Sequence, residues 1–177
     1  METTPTITID VTVDRQTARE VLRALLHTVL FHRLFGTIKP TSFDVLDVTV
    51  PAVDDQEIDE LVRTKVEAIF RGLDLTYNRR GQILITFSEK RAKKTWFTSG
   101  EEEVAWEQWV INVEAQQPTD PQQLHHELSQ KLAAALRTVL EYSASDRGRA
   151  AIPLITQSNG ISPFPYRIVT RVGANEV

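Results

Sequence analysis

Residues 6–13 read T-I-T-I-D-V-T-V, so Ile7, Ile9, Val11 and Val13 share one face and Thr8, Asp10 and Thr12 the other. Strict alternation predicts a half-buried strand. Asp14 then offers an N-cap oxygen, and Thr17 with Glu20 has capping-box spacing. Val21, Leu22, Leu25, Leu26, Val29 and Leu30 recur at helical intervals, which predicts a helix to about Phe35. Gly36 is expected to end it in the left-handed conformation. The β-branched and aromatic run 43–50 predicts a strand closed by Pro51. Asp54 and Asp55 favour the start of a second helix, whose stripe is Ile58, Leu61, Val62, Val66, Ile69 and Phe70 and which Gly72 stops. A hairpin is expected from arms at 73–77 and 82–88, with Ile83, Ile85 and Phe87 alternating in the second.

Residues 88–104 carry no apolar period and read as a long polar loop. Alternation returns over 105–115, with Trp109, Ile111 and Val113 on one face and Trp106 and Val110 on the other. A third helix is predicted over 121–142, its stripe formed by Leu124, Leu128, Leu132, Ala135, Leu136 and Val139. The tail, 143–177, holds Pro153, Pro163 and Pro165 and a strand over 166–172. Mixed helices and strand pairs give an α+β class, three helices packed on a mostly antiparallel sheet.

At 177 residues the chain is about one domain long, and 41% hydrophobic with 25% charged residues is ordinary for a globular protein. The formal net charge of −4 lacks the footprint of a dedicated nucleic-acid binder. The absence of cysteine excludes disulfides, thiolate nucleophiles and Cys-ligated metal sites. The amino terminus lacks the basic end and apolar core of a signal peptide. The most apolar stretch, 21–35, is interrupted by Arg23, His27, His32 and Arg33 and is too short to span a bilayer. A soluble, intracellular protein is expected, with at most peripheral membrane contact.

Chemistry is sparse. His27 and His32 are rotated by ~140° on one helix, and His125 and His126 diverge by ~100°, so neither pair presents itself to one metal. His27 is expected at the edge of the apolar stripe with its ring hydrogen-bonded. No Gly-Lys-Ser/Thr phosphate loop and no Gly-x-Ser-x-Gly elbow is present. The expectation is therefore no enzyme, no cofactor and no metal. The polar stretch is different. Lys90, Arg91, Lys93 and Lys94 precede Trp96 and Phe97, and Glu101, Glu102 and Glu103 follow. The aromatic pair either tucks back onto the core or stands exposed as a protein-binding hot spot. The basic run could also touch anionic lipid or nucleic acid.

Four stretches resemble one known family. Leu26-His27-Thr28-Val29-Leu30-Phe31-His32-Arg33 is similar to the L-H-T-V-L-x-H-R signature of the autophagy-related protein 101 family. The basic stretch ending in Trp96-Phe97 resembles that family's tryptophan–phenylalanine finger, Trp106-Glu107-x-Trp109 its W-E-x-W motif, and Pro165-Tyr166-x-Ile168 an element near its end. The resemblance implies a single HORMA domain over 1–177, with 143–177 as a safety-belt-like carboxyl segment. It implies a non-enzymatic scaffold of autophagy initiation. Such a protein pairs with the HORMA domain of autophagy-related protein 13 in the autophagy-initiation kinase complex. It would work in the cytoplasm and at the phagophore assembly site. Trp96 and Phe97 would be the protein-binding residues that recruit downstream factors, with Trp106 and Trp109 packed beneath them. The alternatives are a peptide-capturing HORMA adaptor of checkpoint or DNA-repair signalling, and a small α+β enzyme with an unrecognised site.

Overall fold

The alternating amino-terminal segment forms β1, Thr6–Val13, with Ile9, Val11 and Val13 turned into the core. The structure, a computed structural model, describes residues 3–73, 79–157 and 160–177, and of Lys94 the backbone alone. Helix α1 spans Ala18–Arg33. Asp14 opens its first turn: Oδ1 accepts from the Thr17 N–H at 2.8 Å, and the Asp14 carbonyl accepts from the Ala18 N–H at 3.0 Å. Thr17 forms no side-chain cap, so the expected capping box is absent. A hairpin follows, β2 (Pro40–Val45) and β3 (Val48–Val53), then α2 (Gln56–Gly72), capped by the Asp55 carboxylate on the Ile58 N–H at 3.0 Å. Strands β4 (Arg80–Lys94) and β5 (Ser99–Ala115) lead to α3 (Pro121–Ala144) and the short α4 (Asp146–Ala150). Strands β6 (Tyr166–Val172) and β7 (Asn175–Glu176) complete the chain.

The five-stranded sheet has the order β1-β5-β4-β6-β7, with β1 parallel to β5 and every other pair antiparallel. The class is α+β, as expected. Helix α1 packs against the β2–β3 hairpin and touches both α2 and α3. That central position explains why Ala24, His27, Thr28 and Arg33 are buried along with the predicted apolar stripe.

Three local expectations are corrected, and a fourth lies outside the described residues. The single strand over 43–50 is a hairpin, reversed at Leu46 and Asp47, which adopt positive φ of 49° and 64°. The polar loop over 88–104 is the outer half of β4 and β5. The expected arm at 73–77 lies outside the described residues over 74–78, and β4 pairs with β5 and β6. Gly36 does not take the left-handed form. It is needed for a close approach, because a Cβ there would lie 2.1 Å from the Gly160 carbonyl oxygen. The Gly36 N–H donates to Ile161 O and the Thr37 N–H to Gly160 O, both at 3.0 Å, which ties the carboxyl segment to the end of α1.

His27 departs from expectation too. It is 1% exposed, set edge-on to Phe43, and neither ring nitrogen has a hydrogen-bond partner among the described residues. The nearest carboxylate oxygen, on Asp59, is 3.4 Å from Nε2. Burial first, then the Arg23 charge, hold its pKa below the usual histidine value, against a smaller opposing pull from Asp59. The unfolded chain therefore binds more protons than the folded one just below pH ~6.5. This contribution to stability is complete above that pH and is lost as the pH falls through the folded value. Urea unfolding from pH 7.5 to 5.5 is expected to show stability falling with acidity, with a shallower slope in His27→Phe; equal slopes would refute the assignment.

Candidate protein-docking site

Strands β4 and β5 continue past their neighbours. Pairing with β6 ends at Phe87 opposite Tyr166, with one further bond from the Ser88 N–H to Pro165 O at 2.9 Å. Pairing with β1 ends at Thr6 opposite Gln108. Beyond this root, residues 89–94 face residues 99–104, and no third strand joins them among the described residues. Five steps at ~3.4 Å make a two-stranded ribbon roughly 17 Å long. Residues 90–93 and 99–103 are exposed on both faces, so no apolar alternation marks the ribbon in the sequence. Charge marks it instead: Lys90 stands opposite Glu103 and Arg91 opposite Glu102, the favourable arrangement for directly facing residues. Charged side chains also discourage stray strand addition along the ribbon's edges.

The ribbon turns through four residues, Thr95, Trp96, Phe97 and Thr98. The Thr95 hydroxyl donates to Thr98 O at 2.7 Å and accepts from the Thr98 N–H at 3.2 Å, clasping the turn from inside. No third strand flanks this end of the ribbon among the described residues, so the rings have no neighbouring sheet to fold back upon. Trp96 is 98% exposed and Phe97 95%. Of the two arrangements the sequence left open, the aromatic pair stands in water.

The root is built quite differently. The register shifts between Phe87 and Ser88, which face Glu107 and Ala105, so Trp106 is the extra residue of a bulge. A bulge lets two neighbouring side chains point the same way. Trp106 and Glu107 are therefore both buried, which corrects the assignment of Trp106 to the face away from Trp109. Trp106 packs against Phe87 at 5.6 Å, Phe164 at 5.4 Å and Phe35 at 6.5 Å between ring centroids.

Beside this cluster lies a pair that sequence reasoning did not identify. Arg33 Nε and Nη2 donate to the two carboxylate oxygens of Glu107, each at 2.7 Å, and Nη2 also donates to Gly148 O at 3.1 Å. Trp109 Nε1–H donates to Glu107 Oε1 at 2.6 Å. Both charged side chains are buried, and the guanidinium lies 5.7–5.9 Å from the ring centres of Phe35, Trp106 and Tyr142. The signal was present, since Arg33 ends an apolar helical run and Glu107 sits between two tryptophans, but the partner of each is far away in the chain.

Three of the four motif stretches thus meet at the root, from α1, β5 and the start of β6, and the fourth projects from it. Arg33 meets Glu107, Pro165 bonds Ser88, Tyr166 lies against Phe87 at 6.1 Å, and Ile168 faces Ile85 in the core. The root braces a ribbon that would be marginal by itself.

Comparisons with known proteins cover most of the chain. The family model described as Autophagy-related protein 101 matches residues 10–159. A protein of that name from Schizosaccharomyces pombe is 32% identical over 167 residues, covering 94% of this chain and 87% of its own length. Another from Arabidopsis thaliana is 33% identical over 163 residues, covering 80% of this chain and 75% of its own.

Proposed function

The chain belongs to the autophagy-related protein 101 family, and from that premise we propose that it is a non-enzymatic scaffold of autophagy initiation. Membership places it in autophagy. In our reading residues 1–177 form one HORMA domain with 143–177 as its safety-belt-like segment. This domain pairs with the HORMA domain of autophagy-related protein 13 and stabilises it within the initiation kinase complex. Trp96 and Phe97 then recruit downstream factors. The work is done in the cytoplasm and at the phagophore assembly site, without a cofactor. No helix among the described residues is long and apolar enough to cross a membrane.

One observation supports the recruiting role above all others. A tryptophan and a phenylalanine, each at least 95% exposed, are presented at the end of a ribbon whose root is a cluster of packed aromatic rings. Large aromatics carry much of the energy of protein docking when a partner covers them.

The test is co-expression with the partner HORMA domain, followed by size-exclusion chromatography and co-precipitation of downstream factors. A one-to-one complex is expected for the native chain and for Trp96→Ala with Phe97→Ala. Co-precipitation should be lost in the double variant alone. Retained recruitment would overturn the role of the tip, and absence of the complex would overturn the pairing.

A further inference from the structure

Charge is graded along the ribbon. The first two pairs below the turn are Lys94 opposite Ser99 and Lys93 opposite Gly100, two cations and no anion. The next three pairs hold Lys90 and Arg91 against Glu101, Glu102 and Glu103. Glu89 follows, ion-paired with Arg91 through Nε at 2.6 Å. At ~3.4 Å per residue the glutamates begin about 7 Å below the first pair and end about 14 Å below it. The outer end is thus basic and the inner end acidic, although the chain as a whole carries −4.

We propose that the ribbon tip enters the interface of an anionic bilayer, with Trp96 and Phe97 at the acyl boundary and Lys93 and Lys94 among the headgroups. The tip is convex, so its rings can reach a flat surface first. Tryptophan favours the depth where headgroups meet acyl chains. Lysines just behind it meet the negative surface potential of phosphatidylserine-type lipids, and that potential decays over about 8 Å at physiological salt. The acidic pairs stand about 7–14 Å below the first pair, where that potential has already fallen by more than half, so they oppose contact less than the lysines favour it. Thr95, Thr98, Ser99 and Gly100 place no negative charge at the headgroup level. This goes beyond recruitment of proteins, and either role can fail without the other.

The chain reports on its own contact. Its three tryptophans are Trp96, Trp106 and Trp109, and the last two are buried at 6% and 0% exposure. A change in emission on adding vesicles therefore reads the tip. Mixed phosphatidylserine–phosphatidylcholine vesicles are expected to shift Trp96 emission to the blue, and brominated lipids to quench it. Pure phosphatidylcholine should do much less. Lys93→Gln with Lys94→Gln should weaken partitioning roughly 30-fold, as removal of two cations near an anionic surface does. Glu101→Gln should strengthen it by only about twofold, since the potential has fallen by more than half at that depth. The proposal is overturned if anionic vesicles leave Trp96 emission unchanged. It is equally overturned if binding survives the lysine substitutions, or if the emission shifts only when a protein partner is added without lipid.

Discussion

Arg33→Ala is expected to lower stability by about 3–5 kcal/mol, because it leaves the Glu107 carboxylate buried without its counter-charge. Glu107 is 0% exposed and surrounded by aromatic rings, so water cannot replace the two lost donors. The Gly148 carbonyl also loses a partner, which should loosen α4. Arg33→Lys should recover only part of the loss, since an ammonium cannot donate in parallel to both carboxylate oxygens. Removing both charges, with Arg33→Met and Glu107→Leu, should fall between native and Arg33→Ala. The ion-pair penalty disappears in that variant, but Trp109 Nε1–H is left without its acceptor. Urea unfolding of the four proteins measures this series. A loss below about 1 kcal/mol for Arg33→Ala would contradict the assignment of a buried, dry pair.

Trp106→Ala is expected to cost about 3–5 kcal/mol, the usual range for truncating a core aromatic. The residue fills the bulge and touches Phe35, Phe87 and Phe164, which belong to three separate parts of the chain. Its removal should act in two places. The cavity lowers global stability, and the ribbon loses its anchor. Amide exchange over 89–94 and 99–104 should therefore accelerate more than exchange in α1. Trp106→Phe should recover part of the loss, because it keeps an aromatic ring in the cluster and the indole N–H has no hydrogen bond among the described residues to lose. Uniform acceleration across the molecule would mean that Trp106 supports the core without bracing the ribbon.

These two residues show what was legible in the sequence. The helices could be read because each buries a stripe at a regular period, and α2 and α3 fall within two residues of the expected bounds. Strands β1 and β6 could be read for the same reason. The ribbon could not, because a strand pair wet on both faces leaves no apolar period, and cross-strand charge pairing shows only once the register is known. The bulge was equally hidden, since one inserted residue reverses which side chains point inward. The turn at Leu46 and Asp47 lacks the glycine that usually marks a two-residue hairpin. The aromatic pair was conspicuous from its charged surroundings, whereas Arg33 and Glu107, 74 positions apart, are joined only by the fold.

The central claim is that Trp96 and Phe97 belong to the surface and contribute little to the fold. Equilibrium unfolding of Trp96→Ala with Phe97→Ala tests it most directly. A change within about 0.5 kcal/mol of the native chain is expected, as for exposed positions remote from the core. A loss of several kcal/mol, of the size expected for Trp106→Ala, would make the rings structural and leave nothing at the tip for a partner to cover.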